Sequence, residues 1–380
     1  MPDGLRTIDF DDADFLDEFH RLGWTDGLPV VAPTPERVGA LLDHAGLSPD
    51  TMLGTIEARG RSLNAQQAAA NAVMAGCAPG HFPLVVAALC AMLDPTFNAH
   101  TVMTSTGGAA FCLLVSGPVT AELQMATRHN ALGPGSRANA AVGRTLRLVA
   151  RNVFGARTGE MDASSIGHPG KFTLCLAEDE PTAPWEPLRV ELGYGLEDST
   201  VTILGTEGPR QVANHLNPSP EGILTTMAAA MRCPATYPVG KGAQAVVVLG
   251  PEHTAALVKA GWTRSRVREF LADASRVTPA EIEAAGVFLE VDTQHDMTPG
   301  PDGRLPTVRS ADDVFLVTSG GHGAGWSAYL PVWAPTLHSI AVTRRVPVPG
   351  AGLPQNQPSP AVATDGTRRT SIPGSRPAPE

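Results

Sequence analysis

The sequence predicts an α/β fold, a mixed sheet with helices around it and glycine-rich loops at the strand ends. Two observations carry that prediction. Four apolar, β-rich runs each close on a glycine: FCLLVSGP (111–118), VTILGTEGP (201–209), AVVVLGPEH (245–253) and VFLVTSGGHG (314–323). Strands that end in glycine beside a helix start belong to α/β architecture, with ligand sites at their carboxyl ends. Ala-rich and amphipathic stretches of helical periodicity separate them. The chain of 380 residues is two or three domains' worth at the usual 100 to about 200 residues each, so a core needs neither disulfides nor metals. The expected division is an N-terminal α/β domain over 1–195, a C-terminal α/β domain over 196–346 and a disordered tail over 347–380, where Pro, Gly, Ser and Thr show no periodicity. The four runs share a plan but are too dissimilar in sequence to define a repeat.

Taken in order, Asp11 to Leu22 places Phe15, Leu16, Phe19 and Leu22 at helical spacing with acidic residues in the first turn. Gly27 and Pro29 then break the chain, leaving Trp24 and Asp26 in a loop, and Thr34 caps a helix that has Pro35 at its first position. Two helices follow, about 65–75 and 82–93, joined by an elbow, Gly76-Cys77-Ala78-Pro79-Gly80. Gly133-Pro134-Gly135 turns the chain into a helix capped by Ser136 and carrying Arg137, Arg144, Arg147 and Arg151. FTLCLAE (172–178) reads as a strand, with Phe172, Leu174 and Leu176 on one face and Thr173, Cys175 and Ala177 on the other. Ala324 to Pro331 gives no clear signal.

Charge and cysteine usage exclude whole classes. Lys+Arg 28 against Asp+Glu 38 leaves a net charge of −10, the opposite of a nucleic-acid-binding balance. No apolar run approaches the roughly 20 residues of a membrane span, and the acidic MPDGLRTIDFDDADF start is unlike a secretory signal, so a cytoplasmic protein is expected. The five cysteines form no CxxC pair, no HExxH or similar spacing suggests a metal, and neither a Walker A loop nor GxGxxG with an acidic partner is present. No cofactor is expected.

The residues left for chemistry lie in glycine-bounded loops. Arg137 and Asn139, at a helix start with free N–H groups, form an anion cradle, with Arg144 further along; the bland alternative is a solvated helix with an i, i+4 arginine ladder. His168 and Lys171 flank a turn, and Glu178, Asp179 and Glu180 end the strand beyond it, so Glu178 is a general-base candidate or part of a solubilising turn. Cys77 at a helix start would be a nucleophile with a lowered pKa, or a small buried residue. His253 in GPEH and His322 in SGGHGAGWS complete the set, the latter in a loop able to line an oxyanion.

Four blocks, GWTDGLPVVAPTPERV, NAVMAGCAPGHFPLV, ALGPGSRANAAVGRTLRL and HPGKFTLCLAEDEPTAPWEPLRVE, together resemble a bacterial family grouped with the UGSC-motif (seleno)proteins. They span about residues 21–191; GPEH and GWTRSRVREFL match more loosely, and the UGSC motif itself is absent. The chain is also similar to the large subunits of two-component enzymes that close an aziridine ring by expelling sulfate in natural-product biosynthesis. That resemblance implies a cofactor-independent lyase or cyclase for a small anionic, amino-acid-derived substrate, with a possible small partner subunit. Displacing sulfate by an amine needs a base and cationic or N–H groups for the leaving oxyanion. Arg137, Asn139, Arg144, Lys171 and His322 suit the anion; Glu178 or Asp26, with His253 as alternative, suits the base. The rival readings are a thiol oxidoreductase or transferase working through Cys77 and a non-catalytic scaffold subunit. The single-pocket expectation is that Cys77, Arg137, Lys171, Glu178 and His322 converge.

Overall fold

A computed structural model describes residues 15–233, 236, 239–286, 299–323, 325–335 and 339–353. The chain opens with α1 (Phe15–Arg21), α2 (Pro35–Ala45), the hairpin β1 (Met52–Ile56) and β2 (Arg61–Asn64), then α3 (Ala65–Ala75) and α4 (Phe82–Met92). Next come α5 (Ala99–Thr104), β3 (Ala110–Ser116), α6 (Val119–Glu122), α7 (Arg137–Asn152), β4 (Cys175–Ala177), α8 (Leu188–Glu191), β5 (Thr200–Thr206) and β6 (Arg210–Ala213). The last stretch holds α9 (Pro220–Met231), β7 (Ala243–Leu249), α10 (Pro251–Lys259), α11 (Arg264–Ala274), α12 (Pro279–Ala284), β8 (Val314–Thr318), β9 (Trp326–Pro335) and β10 (Val342–Arg345). The fold is α/β with a mixed sheet.

Strand order is β4-β3-β5-β9-β7-β8, with β10 on β5 and β6 on β9. β3 runs parallel to β4 and antiparallel to β5; β7 runs parallel to β8 and antiparallel to β9. The two triplets therefore repeat one topology in opposite order, joined by a single register pair, Thr206 with Val332. The exchange is reciprocal: β6, which follows β5, pairs with β9, and β10, which follows β9, pairs with β5. A duplication too faint for the sequence is plain in the topology. The boundary placed at 195/196 is not a boundary of the sheet, because β5 pairs along its length with β3.

Alternation along the strands builds four layers. Leu113 and Val115 of β3 pack with Val85 and Leu89 of α4 and Val142, Leu146 and Val149 of α7. Cys112 and Leu114 point the other way and share a core with Val246 and Val248 of β7 and Leu330 of β9. On the far side, Val247 and Leu249 meet Leu224 and Met227 of α9 and Val267 and Leu271 of α11. Two half-sheets thus face each other between two helical layers. α4 is apolar all round because it is buried all round. Gly143 lets α7 lie on β4: a side chain there would press on the Leu174 nitrogen at 3.1 Å and on Cys175 at 3.3 Å.

Several expectations need amending. The 172–178 strand shrinks to Cys175–Ala177, because Pro169–Lys171 makes a single 3-10 turn and leaves Phe172 at its end, 43% exposed; Leu174 and Leu176 still face opposite to Cys175 and Ala177. The ambiguous stretch after 324 is β9. The expected helix from Asp11 is α1 from Phe15, its first residues lying outside the described ones. The tail begins later than 347, since Gly350 and Gly352 N–H groups bond the carbonyls of His44 and Ala45 at the end of α2; residues 354–380 lie outside the described ones.

Candidate active site

At the carboxyl ends of β3 and β4, charge is buried and balanced. Glu178, 1% exposed, accepts from the Ser116 hydroxyl at 2.8 Å, the Leu188 N–H at 3.0 Å and Arg264 Nη2 at 3.2 Å. Glu180 lies 2.8 Å from the same Ser116 Oγ, whose one proton the two carboxylates share, and accepts from the Gly117 N–H and from Arg189. Arg264 and Arg268 both reach Glu191, at 2.6 and 2.7 Å. Burial raises the Glu178 carboxyl, while Arg264 and Ser116 work against the rise. Every polar face of Glu178 is engaged, so the expected base is a clasp between β4 and α11.

The other expected residues are dispersed. Cys77 is 7% exposed against Thr145 and burial pushes its thiol up to about 12, the reverse of a nucleophilic thiolate. Arg137 is exposed and gives its Nε to the Gly76 carbonyl at 2.8 Å. The N–H groups at the start of α7 are partly consumed by the Ser136 cap. Asn139 is buried and spans the Ala126 N–H and the Cys175 carbonyl, a structural tie between α7 and β4. Arg144 holds Asp26 bidentately at 2.8 and 2.7 Å, which fixes the 23–28 loop and occupies that carboxylate. His253, 3% exposed, lies between Ser327 Oγ at 2.7 Å and the Asn214 carbonyl at 3.2 Å, and burial lowers its pKa. His322 stands out in solvent, its side chain 82% exposed, beside Glu252. Glu252 also takes the Gly323 N–H at 2.8 Å, so a carboxylate of the chain already sits at that loop.

One expected residue, Lys171, sits in a constellation with Asp162, Ser164 and Arg147. Its Nζ is 3.0 Å from Asp162 Oδ1 and 2.6 Å from Ser164 Oγ. Ser164 Oγ in turn donates to Asp162 at 2.5 Å, and Arg147 holds the other Asp162 oxygen at 2.8 Å. Asp162 is 2% exposed, whereas the Arg147 and Lys171 side chains keep 13% and 15%. Both cations line a depression whose walls are Val102, Met103, Ala109, Ala110 and Phe111. The 105–108 loop sets the geometry: Ser165 N–H bonds the Thr106 carbonyl, and Gly108, at φ 73°, lies so close to Gly167 that a Cβ would come within 2.9 Å of its Cα.

Electrostatically, one carboxylate serves two cations. Burial works to raise the Asp162 carboxyl, but Ser164, Arg147 and Lys171 together hold it below its ordinary value. Burial lowers Lys171, and Arg147 adds to that, against the pull of Asp162. Arg137 and Arg147 are ten residues apart on α7, about 15 Å along the axis, and Lys171 belongs to the Arg147 end. The single pocket expected from the sequence is therefore divided among separate places. Asp162 and Ser164 went unnoticed, although an acid, a hydroxyl and a lysine within DASSIGHPGK were a readable signal.

Among the described residues no group of His, Cys, Asp and Glu is arranged to hold a metal, and no helix is long and apolar enough to cross a membrane. No protein-family model matches the chain, and no curated protein does. Among solved structures it is similar to a cyanuric acid hydrolase from A. caulinodans, at TM-score 0.19 and 11% identity over 62% of either chain. A second cyanuric acid hydrolase, described as an evolutionary innovation by structural concatenation, gives TM-score 0.19 and 9% identity over 63% of this chain and 62% of that one. The chain thus spans about three fifths of the length of the structures it matches. Both neighbours are enzymes.

Proposed function

We propose that the protein is a cofactor-independent lyase or cyclase acting on a small anionic, amino-acid-derived substrate at the Arg147–Asp162–Lys171 site. The observation that carries the reading is two partly open cations sharing one buried carboxylate beside an apolar-walled depression. A surplus positive charge in a half-dry site favours an anionic ligand. In this reading Lys171 replaces Glu178 and Asp26 as base: burial favours release of its proton, and once it is neutral Arg147 alone carries the charge that holds the anion. For a sulfated amino substrate, the amine nitrogen bonds to carbon, the carbon–oxygen bond to sulfate breaks, the ammonium proton goes to Lys171 and Arg147 receives the departing oxyanion. A small partner subunit, as the resemblance implies, would seat beside the loop where Ile166 and Phe172 stand 96% and 43% exposed. A cytoplasmic location and natural-product biosynthesis belong to the same proposal.

The test has two parts. Millimolar sulfate raises the melting temperature of the native chain by mass action, and the rise is lost in Arg147→Gln, each protein being compared with its own ligand-free value. An equal rise in both proteins removes Arg147 from the site. Release of inorganic sulfate from O-sulfated amino acids, in step with loss of primary amine, then marks the cyclase; no release with or without added partner sinks it.

A further inference from the structure

We infer that Ser164 is a nucleophile activated by Lys171, giving the site an acyl-transfer or hydrolytic capacity toward small esters or amides that carry a negative charge. The inference goes beyond the cyclase reading, which uses Lys171 but leaves Ser164 idle. It starts from the 2.6 Å contact between Lys171 Nζ and Ser164 Oγ, with the lysine carried on a one-turn 3-10 element and the serine on the loop seven residues before it. A serine hydroxyl is a weak nucleophile until a base within hydrogen-bond reach takes its proton, and a lysine with a depressed pKa is such a base.

The four groups divide the work. With Lys171 protonated, the ammonium donates to Ser164 and the Ser164 hydroxyl donates to Asp162 Oδ1. Loss of a proton from Nζ to solvent frees a lone pair, and the hydroxyl turns from Asp162 to Nζ. Burial and the neighbouring Arg147 both favour that loss. Asp162 makes the poorer base, since its partners hold it below the ordinary carboxylate value. Its work is to fix Ser164, Lys171 and Arg147 in one place.

The step then balances. Oγ bonds to the substrate carbonyl carbon as its proton passes to Nζ; the tetrahedral adduct collapses, the bond to the amine or alkoxide breaks and Nζ returns the proton to that leaving group. Water attacks the resulting serine ester, gives a proton to Nζ and releases the acid, after which Oγ regains the proton. Arg147, on the other Asp162 oxygen and beside the depression, selects substrates bearing a carboxylate or similar anion.

The experiment uses the full chain and a fluorophosphonate probe, with intact mass and peptide mapping as readouts. The expected result is one adduct, on Ser164, absent in Ser164→Ala. A base of this kind contributes typically 10²- to about 10⁴-fold, so labelling in Lys171→Met slows at least about 100-fold. Lys171→Arg keeps the charge beside Asp162 without a usable base and serves as the folding control: native melting with labelling lost supports the inference. In the wild type the labelling rate climbs with pH and levels off below the ordinary lysine value of 10.5. An adduct on another residue, no adduct, or an unchanged rate in a folded lysine variant overturns it. None of these outcomes depends on sulfate binding or release, so the cyclase reading can fail while this one stands.

Discussion

At the carboxyl ends of β3 and β4, Glu178, Glu180 and Glu191 meet Arg189, Arg264 and Arg268, whereas near the amino end of β3 a single carboxylate, Asp162, faces both Arg147 and Lys171. The first cluster is balanced in charge and strung between the two halves of the duplication, with Glu178, Arg189 and Arg264 buried at its centre. The second is unbalanced, two cations to one carboxylate, and held within the first half. The difference teaches that burial of charge alone does not mark a working site: where every charge is matched the network fastens parts together, and where one cation is left over there is capacity for a ligand or a proton transfer.

The comparison can be broken most forcefully at Arg264. Arg264→Met leaves Glu178 buried without its cation, and removing one partner of a buried pair typically costs about 3–5 kcal/mol; urea unfolding should show a loss of that order with the sulfate response intact. A loss under about 1 kcal/mol would mean the cluster does not fasten the halves.

A pH profile sharpens the same contrast. Glu178, raised by burial above its ordinary value of 4.5, binds its proton more tightly in the folded chain. Its contribution to stability is therefore full below about 4.5 and is lost as pH rises through the raised folded value. Glu178→Gln, permanently neutral, should lose less stability than the wild type between about pH 4 and pH 8. Parallel curves would refute the assignment. Lys171 acts oppositely: lowered in the folded chain, it makes stability rise with pH between its folded value and 10.5.

The smallest effect is expected at His322. Its side chain is 82% exposed, so His322→Ala should shift stability by less than about 0.5 kcal/mol and leave sulfate binding unchanged. A lost sulfate response would return the glycine loop to the site.

Much of the architecture could be read from the chain because local pattern decides it. AVVVLG and VFLVT are strands on composition alone, and Thr34 with Pro35 and Ser136 start α2 and α7 as expected. β9 escaped because Pro331 and Pro335 argue against an interior strand; the register against β7 shifts between Ala243 and Ala245, opposite those two prolines. The site was only half legible, for a different reason. Arg144 finds Asp26 across 118 residues and Arg264 finds Glu178 across 86. No local periodicity encodes such pairings, so Glu178 and Asp26 looked free in the sequence and are bound in the fold. Lys171 was found because its turn is local; Asp162 and Ser164, only nine and seven residues away, were passed over in a stretch without helical or strand pattern.

The reciprocal exchange of β6 and β10 also sets a timetable. Thr202 of β5 must wait for Thr343 of β10, 141 residues further along, and at 5–20 residues per second synthesis needs on the order of ten seconds to deliver it. For that interval β5 has its β3 neighbour but an open second edge, the kind of surface that recruits strands from other chains. A nascent chain stalled between β6 and β10 thus keeps that edge exposed, and β10, the last of the described strands, is the one that seals the first half.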